Sequence, residues 1–309
     1  MNTPATPIPL TPNSNIHSVL DQLGTILLGK QPQLEMALAC MLARGHLLIE
    51  DVPGTGKTTL AQTLGASMGL DWKRVQFTSD LLPADVIGVS VFNSNSQQFE
   101  FREGPVFTSV LLADEINRAP PKAQSALLEA MEERQVSADG TTYKLPQEFF
   151  VIATQNPTEQ LGAYPLPESQ LDRFLVGLSL GYPDAETERA LMITGDTRSS
   201  IDQLQAVANL QQLEIWKTEV EAVHVSDTII DYAQALLQQS RQSGTGLSSR
   251  AGLALIKLSR AIAFISQRDH VLPDDVQRVF PALAGHRLTG RVSTGEKAAL
   301  AILDSIATP

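Results

Sequence analysis

The stretch His46–Ala61, HLLIEDVPGTGKTTLA, decides the fold. A short apolar strand, His46–Glu50, runs straight into the loop Asp51-Val52-Pro53-Gly54-Thr55-Gly56-Lys57-Thr58-Thr59, and the loop opens an apolar helix. Strand, glycine-rich loop and helix in that order suit a phosphate. Backbone N–H groups of the loop and of the helix N-terminus point at the anion, and glycine lets the chain come close. Lys57 then neutralises the β- and γ-phosphates, and Thr58 holds Mg²⁺. The strict GxxxxGK[ST] pattern fails at its first position, where Asp51 replaces glycine. An ordinary strand–helix turn is the bland alternative. It does not account for Pro-Gly-Thr-Gly-Lys-Thr, and nucleotide binding is the expectation.

Downstream, Val110-Leu-Leu-Ala-Asp114-Glu115 is an apolar strand ending in two acids. Alone, such a pair is commonly a helix start. Placed 57 residues after Lys57, it fits a carboxylate that organises Mg²⁺ (Asp114) and one that polarises the attacking water (Glu115). Phe149-Phe-Val-Ile-Ala-Thr-Gln-Asn156 is another buried strand, ending in an amide that could bond the γ-phosphate or that water. Arg173 precedes the last strand pattern. Arg250 sits at a helix start, where the dipole disfavours a cation, so an anionic partner is expected. For either arginine the alternative is a surface salt bridge, worth little.

Strand patterns at His46–Glu50, Trp72–Phe77, Ser109–Ala113, Phe149–Ala153 and Phe174–Leu180 alternate with helical ones. That rhythm indicates an α/β fold with a parallel sheet covered on both faces. Val89–Phe101 and Gln135–Leu145, the latter turning at Asp139-Gly140, read as β-hairpins. After Pro183 the pattern is helical, with breaks near Gly195, Gly244–Gly246, Pro273 and Gly290. The expected division is a flexible proline-rich tail over 1–15, an α/β nucleotide-binding core over 16–190 and a helical domain over 191–309.

The 309 residues carry 23 basic and 34 acidic side chains, a net charge of −11. Residues 1–195 hold 12 basic against 22 acidic groups. Such a balance disfavours general binding to nucleic acid or to an anionic membrane. The single Cys40 excludes an internal disulfide, and the five histidines have no close ligand spacing. No apolar run is long enough to span a bilayer, and no signal peptide is evident, so a cytoplasmic protein is expected.

Taken together, EDVPGTGKTTLA, FREGPVF, LLADEINRAPPKAQSALLEAMEERQV, ATQNP, ESQLDRF, GLSSRA, LPDDV and HRL resemble the MoxR family of AAA+ ATPases, from about Leu23 to about Arg287. The resemblance implies a five-stranded P-loop core, a β-hairpin inserted in helix 2, an all-helical lid and assembly into a homo-oligomeric, hexameric ring. It assigns Pro53, Gly54, Thr55, Gly56, Lys57, Thr58 and Thr59 to ATP binding in the Walker A loop. Asp114 and Glu115 match Walker B, with Thr58 and Asp114 holding Mg²⁺. Asn156 matches sensor 1, Arg173 the arginine finger and Arg250 sensor 2, which with Glu115 form the catalytic set. Leu27-Leu28-Gly29-Lys30 is similar to the segment lining the adenine, and Asp51 fits the family's own form of the loop. Val89–Phe101 is similar to the helix-2 insertion and Gln135–Leu145 to the hairpin before sensor 1. The family implies a chaperone-like remodeller of protein clients, with von Willebrand factor A domain proteins as partners. Rival readings are a nucleic-acid motor, a metal-chelatase subunit and a nucleotide-sensing scaffold. The acidic core speaks against the first, and intact Glu115 and Arg173 against the last.

Overall fold

The computed structural model of the chain describes residues 14–156, 163–194, 201, 203–242 and 246–309. Most of the expected proline-rich tail, the break at Gly195 and part of that at Gly244–Gly246 lie outside the described residues. The elements up to the first hairpin are α1 (Ser14–Ile26), α2 (Gln31–Leu42), β1 (Leu47–Glu50), α3 (Lys57–Ser67), β2 (Trp72–Gln76), α4 (Pro83–Ile87), β3 (Gly88–Asn93) and β4 (Gln98–Glu103). There follow β5 (Val110–Asp114), α5 (Pro121–Glu133), β6 (Gln135–Ala138), β7 (Thr141–Lys144), β8 (Phe150–Gln155), α6 (Glu168–Leu171) and β9 (Val176–Leu178). Beyond β9 the described elements are the helices α7 (Ala185–Thr194), α8 (Leu210–Ala222), α9 (Asp227–Gln242), α10 (Ser249–Ile265), α11 (Pro273–Thr289) and α12 (Val292–Ser305).

The five expected strands form one parallel sheet, ordered β2-β5-β8-β1-β9. Successive side chains of a strand face opposite ways, so the sheet feeds two cores. Leu47, Ile49, Val110, Leu112, Phe150 and Ile152 join one core with α1, α2, α3 and the C-terminal helices. Leu48, Leu111, Ala113, Val151 and Ala153 join the other with α5. Strand β2 departs from the expectation of apolar, doubly covered strands. Only Val75 of WKRVQ is buried, because β2 is an edge strand. Its polar side chains Arg74 and Gln76 are free to enter the phosphate site.

Both hairpins form. In β6–β7 Asp139 and Gly140 take positive φ, 49° and 77°, the pair of left-handed residues that a tight two-residue turn needs. In β3–β4 the aromatics divide. Phe101 stacks on Tyr143 of β7, ring centroids 3.9 Å apart, and ties the two hairpins together. Phe92 and Phe99 pair with each other at 5.4 Å and stay exposed.

The helical segment is bolted to the sheet through buried polar groups. Arg287 of α11 donates to Asp172 Oδ1 at 2.8 Å and to the carbonyls of Phe174 (2.6 Å) and Leu175 (3.2 Å). Lys217 of α8 is fully buried and ion-paired to Glu148, just before β8. His286 sits against Gly177 of β9, where a Cβ would come within 2.6 Å of its ring.

Two buried histidines give the fold a defined acid response. His46 Nδ1 accepts from Val151 N at 3.0 Å. Burial, with the nearby Arg134 charge, lowers its pKa to about 3. Burial also pushes His286 well below its ordinary value. Both stay neutral in the fold, while the unfolded chain takes up their protons below about pH 6.5. Stability therefore falls as the pH drops below about 6.5, by up to about 1.4 kcal/mol per pH unit for each histidine. Urea unfolding at pH 7.5 and pH 5 should show this loss, and His46→Gln should remove part of it. Equal pH dependence in the two proteins would exclude His46 as a contributor.

Candidate functional site

The loop after β1 is shaped by two left-handed glycines, Gly54 (φ 88°) and Gly56 (φ 95°). A Cβ on Gly54 would meet nothing within 4 Å, so the loop is open where an anion would lie. Gly56 caps α3, and a Cβ there would come within 3.1 Å of Leu27 Cδ2. Pro53, Gly54, Gly56, Lys57, Thr58 and Thr59 line a cavity of about 200 Å³. Thr55 does not line it; its hydroxyl turns to Val52 O at 3.3 Å. Half-buried Lys57 donates to the carbonyls of Asp51 (2.8 Å) and Val52 (3.2 Å). Burial lowers its pKa, against the opposing pull of Asp51, Asp114 and Glu115.

Asp114, Glu115 and Asn156 line the same cavity. Thr154 of β8 organises both acids. Its hydroxyl donates to Asp114 Oδ1 at 2.6 Å and accepts from Glu115 N at 2.9 Å. Glu115 lies in the left-handed region (φ 55°, ψ 49°), a costly conformation for a side chain of this size. Its Oε2 accepts from Gln76 Nε2 at 2.9 Å and from Arg118 Nη1 at 2.8 Å. Asp114 Oδ2 accepts from Arg74 Nη2 at 2.6 Å and Nε at 3.2 Å. Asp114 thus already receives a cation, and it lines the same cavity as Thr58. The donor set of one hydroxyl, one carboxylate and phosphate oxygens suits Mg²⁺, a hard ion that keeps several waters.

Asp51, the departure from the strict motif, has a structural reason. Its buried carboxylate accepts from Leu180 N (2.5 Å), Gly181 N (3.1 Å) and Ser179 Oγ (3.1 Å). Its neighbour Glu50, also buried, accepts from Val292 N at the start of α12. The segment that Asp51 holds also walls a second cavity of about 650 Å³, with Gly29, Lys30, Met36 and Pro281. Lys30 donates to Tyr182 O at 2.8 Å across it. Its walls mix apolar groups (Met36, Leu178, Pro281) with polar ones (Gln33, Asp184, Glu296), and Gly29 of the expected adenine segment is among them.

Arg173 and Arg250 are not brought to the phosphate loop. Both line a third cavity of about 380 Å³, beside His46 and Leu175, which precede β1 and β9. It therefore lies at the N-terminal end of these strands, while the phosphate loop follows the C-terminal end of β1. Arg250 is held there by an ion pair with Glu132 at the end of α5, the anionic partner expected for a cation at a helix start. Arg173 makes no side-chain hydrogen bond or ion pair among the described residues. Its neighbour Asp172 is already taken by Arg287. The sequence reading did not single out Arg74, Gln76, Thr154 or Arg287. The one visible signal was polarity at alternate positions of β2.

Comparison with known proteins agrees with this architecture. Residues 46–176 match the ATPase family associated with various cellular activities (AAA), and residues 237–306 match the AAA lid domain. The chain is 44% identical over 272 residues to the uncharacterized protein YeaC of Bacillus subtilis, covering 87% of this chain and 85% of that one. It is 40% identical over 277 residues to chaperone MoxR1 of Mycobacterium tuberculosis, covering 85% and 72%. The crystal structure of a Cytophaga hutchinsonii protein assigned as an ATPase superposes with a TM-score of 0.86 at 35% identity, over 96% of each chain.

If Asp51 anchors the loop, Asp51→Ala leaves two backbone N–H groups and a hydroxyl without their acceptor. It should cost about 1.5–3 kcal/mol of stability and weaken ADP binding measured by calorimetry. Wild-type ADP affinity in a folded Asp51→Ala protein would show that the loop needs no such anchor.

Proposed function

The chain belongs to the MoxR family of AAA+ ATPases, and from that premise we propose that it hydrolyses ATP to remodel or assemble protein clients. The observation that carries the hydrolytic reading is a single cavity lined by Lys57, Thr58, Asp114, Glu115 and Asn156 together. In this reading Lys57 leaves its two carbonyls for the β- and γ-phosphates. Glu115 orients and polarises the attacking water once Gln76 and Arg118 release it, and Asn156 positions the γ-phosphate. Thr58 and Asp114 would hold Mg²⁺, which would supply charge neutralisation on the phosphate oxygens. Gly29 and the cavity beside it take the base.

We assign residues 16–190 to the nucleotide-binding core and 191–309 to the lid. Arg173 and Arg250 act on the ATP of a neighbouring subunit. The support is their shared cavity at the far end of the sheet and the absence of a partner for Arg173 among the described residues. A closed ring, hexameric by family precedent, satisfies this head-to-tail geometry. The name of the mycobacterial relative supports a chaperone role, and von Willebrand factor A domain proteins are candidate partners. We assign the protein to the cytoplasm, where ATP is supplied. No helix among the described residues is long and apolar enough to cross a membrane.

Arg173→Ala should bind ATP nearly normally and lose roughly 10³–10⁵ in turnover, the contribution of an arginine supplied in trans. Lys57→Ala should lose tight ATP binding. Mixing the two inactive proteins should restore activity, because the Lys57→Ala subunit offers an intact Arg173 to its neighbour. Steady-state phosphate release checks this. No recovery from well-folded mutants that co-assemble would remove Arg173 from the reaction.

A further inference from the structure

Arg74 belongs to no loop or motif assigned above, yet it lies in the phosphate cavity. It projects from the edge strand β2, and its side chain is 46% exposed. The acid it contacts is not exposed to the same degree: the Asp114 side chain retains 11%. Nη2 and Nε both address Asp114 Oδ2, at 2.6 and 3.2 Å. The other carboxylate oxygen belongs to Thr154. The same Nη2 donates to Gln76 Oε1 at 3.1 Å, and the amide nitrogen of Gln76 donates to Glu115 Oε2 at 2.9 Å. Asp114, Arg74, Gln76 and Glu115 are therefore one continuous relay on the cavity wall.

The geometry points to Arg74 as an internal competitor of Mg²⁺, a guanidinium that neutralises Asp114 and must be displaced from it for the metal to bind with nucleotide. Lys57, the other cation lining the cavity, bonds the carbonyls of Asp51 and Val52 rather than a carboxylate. Arg74 is the cation ion-paired to the largely buried Asp114 among the described residues, and burying that carboxylate without a partner is costly. A metal and its waters use the same carboxylate, so the two cations exclude each other on Oδ2. Releasing Arg74 also removes one of the two polar contacts that fix the Gln76 amide, so metal arrival loosens the hold on Glu115. Arg74 is thus a positioning residue, acting through Asp114 and Gln76. This inference rests on the nucleotide-site reading.

The test compares ADP binding with Mg²⁺ and with EDTA, by calorimetry, in wild type and Arg74→Gln. ADP avoids turnover. The half-exposed position on an edge strand should tolerate the change, and Arg74→Ser serves if glutamine disturbs folding. Removing the competitor should tighten Mg²⁺–ADP binding about fivefold, the scale of a partly exposed ion pair. Metal-free ADP affinity should stay within about twofold. Binding of Mn²⁺ alone, followed by electron paramagnetic resonance, should strengthen in the variant. Arg74→Lys keeps a cation opposite Asp114 and should stay closer to wild type than Arg74→Gln. Weaker binding of both forms of ADP would instead make Arg74 a phosphate ligand and overturn the proposal. Unchanged binding of both forms, with unchanged Mn²⁺ affinity, would make the ion pair incidental and overturn it as well. A wild-type protein that binds no ADP would sink the ATPase reading itself, a result distinct from either.

Discussion

Two adjacent carboxylates at the end of β1 hold the functional end of the molecule together. Glu50 and Asp51 are both buried, and a buried carboxylate must be satisfied by donors. Glu50 takes the first N–H of α12, and Asp51 takes the backbone of residues 180 and 181. The strand that carries the phosphate loop is thereby fixed to the last helix and to the segment leaving β9. A glycine at position 51 could accept none of these bonds through a side chain. The aspartate that breaks the strict loop pattern is thus a joint between the loop and the wall of the neighbouring base-sized cavity.

This joint sets what can move. Through these two adjacent residues the start of the loop is tied both to α12 and to the segment that walls the neighbouring cavity. At the other end of the sheet, Arg287 fixes α11 to Asp172, Phe174 and Leu175, while the Arg173 side chain between them has no partner among the described residues. Arg173 and Arg250 thus lie at the end of the sheet remote from the chain's own phosphate loop, and in the function proposed above they serve the site of a second copy.

Much of this was legible in the sequence. Four of the five strands follow from short apolar runs, β2 being a largely polar edge strand, and the parallel sheet follows from the alternation of strand with helical patterns. The Asp139-Gly140 hairpin follows from turn chemistry. The phosphate loop and Asp114-Glu115 were readable because backbone geometry demands those residue types at those spacings. What escaped depended on tertiary proximity. Nothing local announces that Arg74 and Gln76 of an edge strand reach the acids of β5, or that Thr154 bonds both acids. The position of Arg250 was equally hidden. Its sequence context says helix start, and only the tertiary structure shows that its ion pair is with Glu132 of α5, in a cavity away from the phosphate loop.

The central claim is that each phosphate site is finished by the next subunit. Electron cryomicroscopy of Glu115→Gln assembled with ATP and Mg²⁺ tests it most directly. The account predicts a closed ring in which the bound triphosphate lies between Lys57 of one subunit and Arg173 of the next. A fully occupied nucleotide site with Arg173 facing solvent, or bonded within its own subunit, would contradict it.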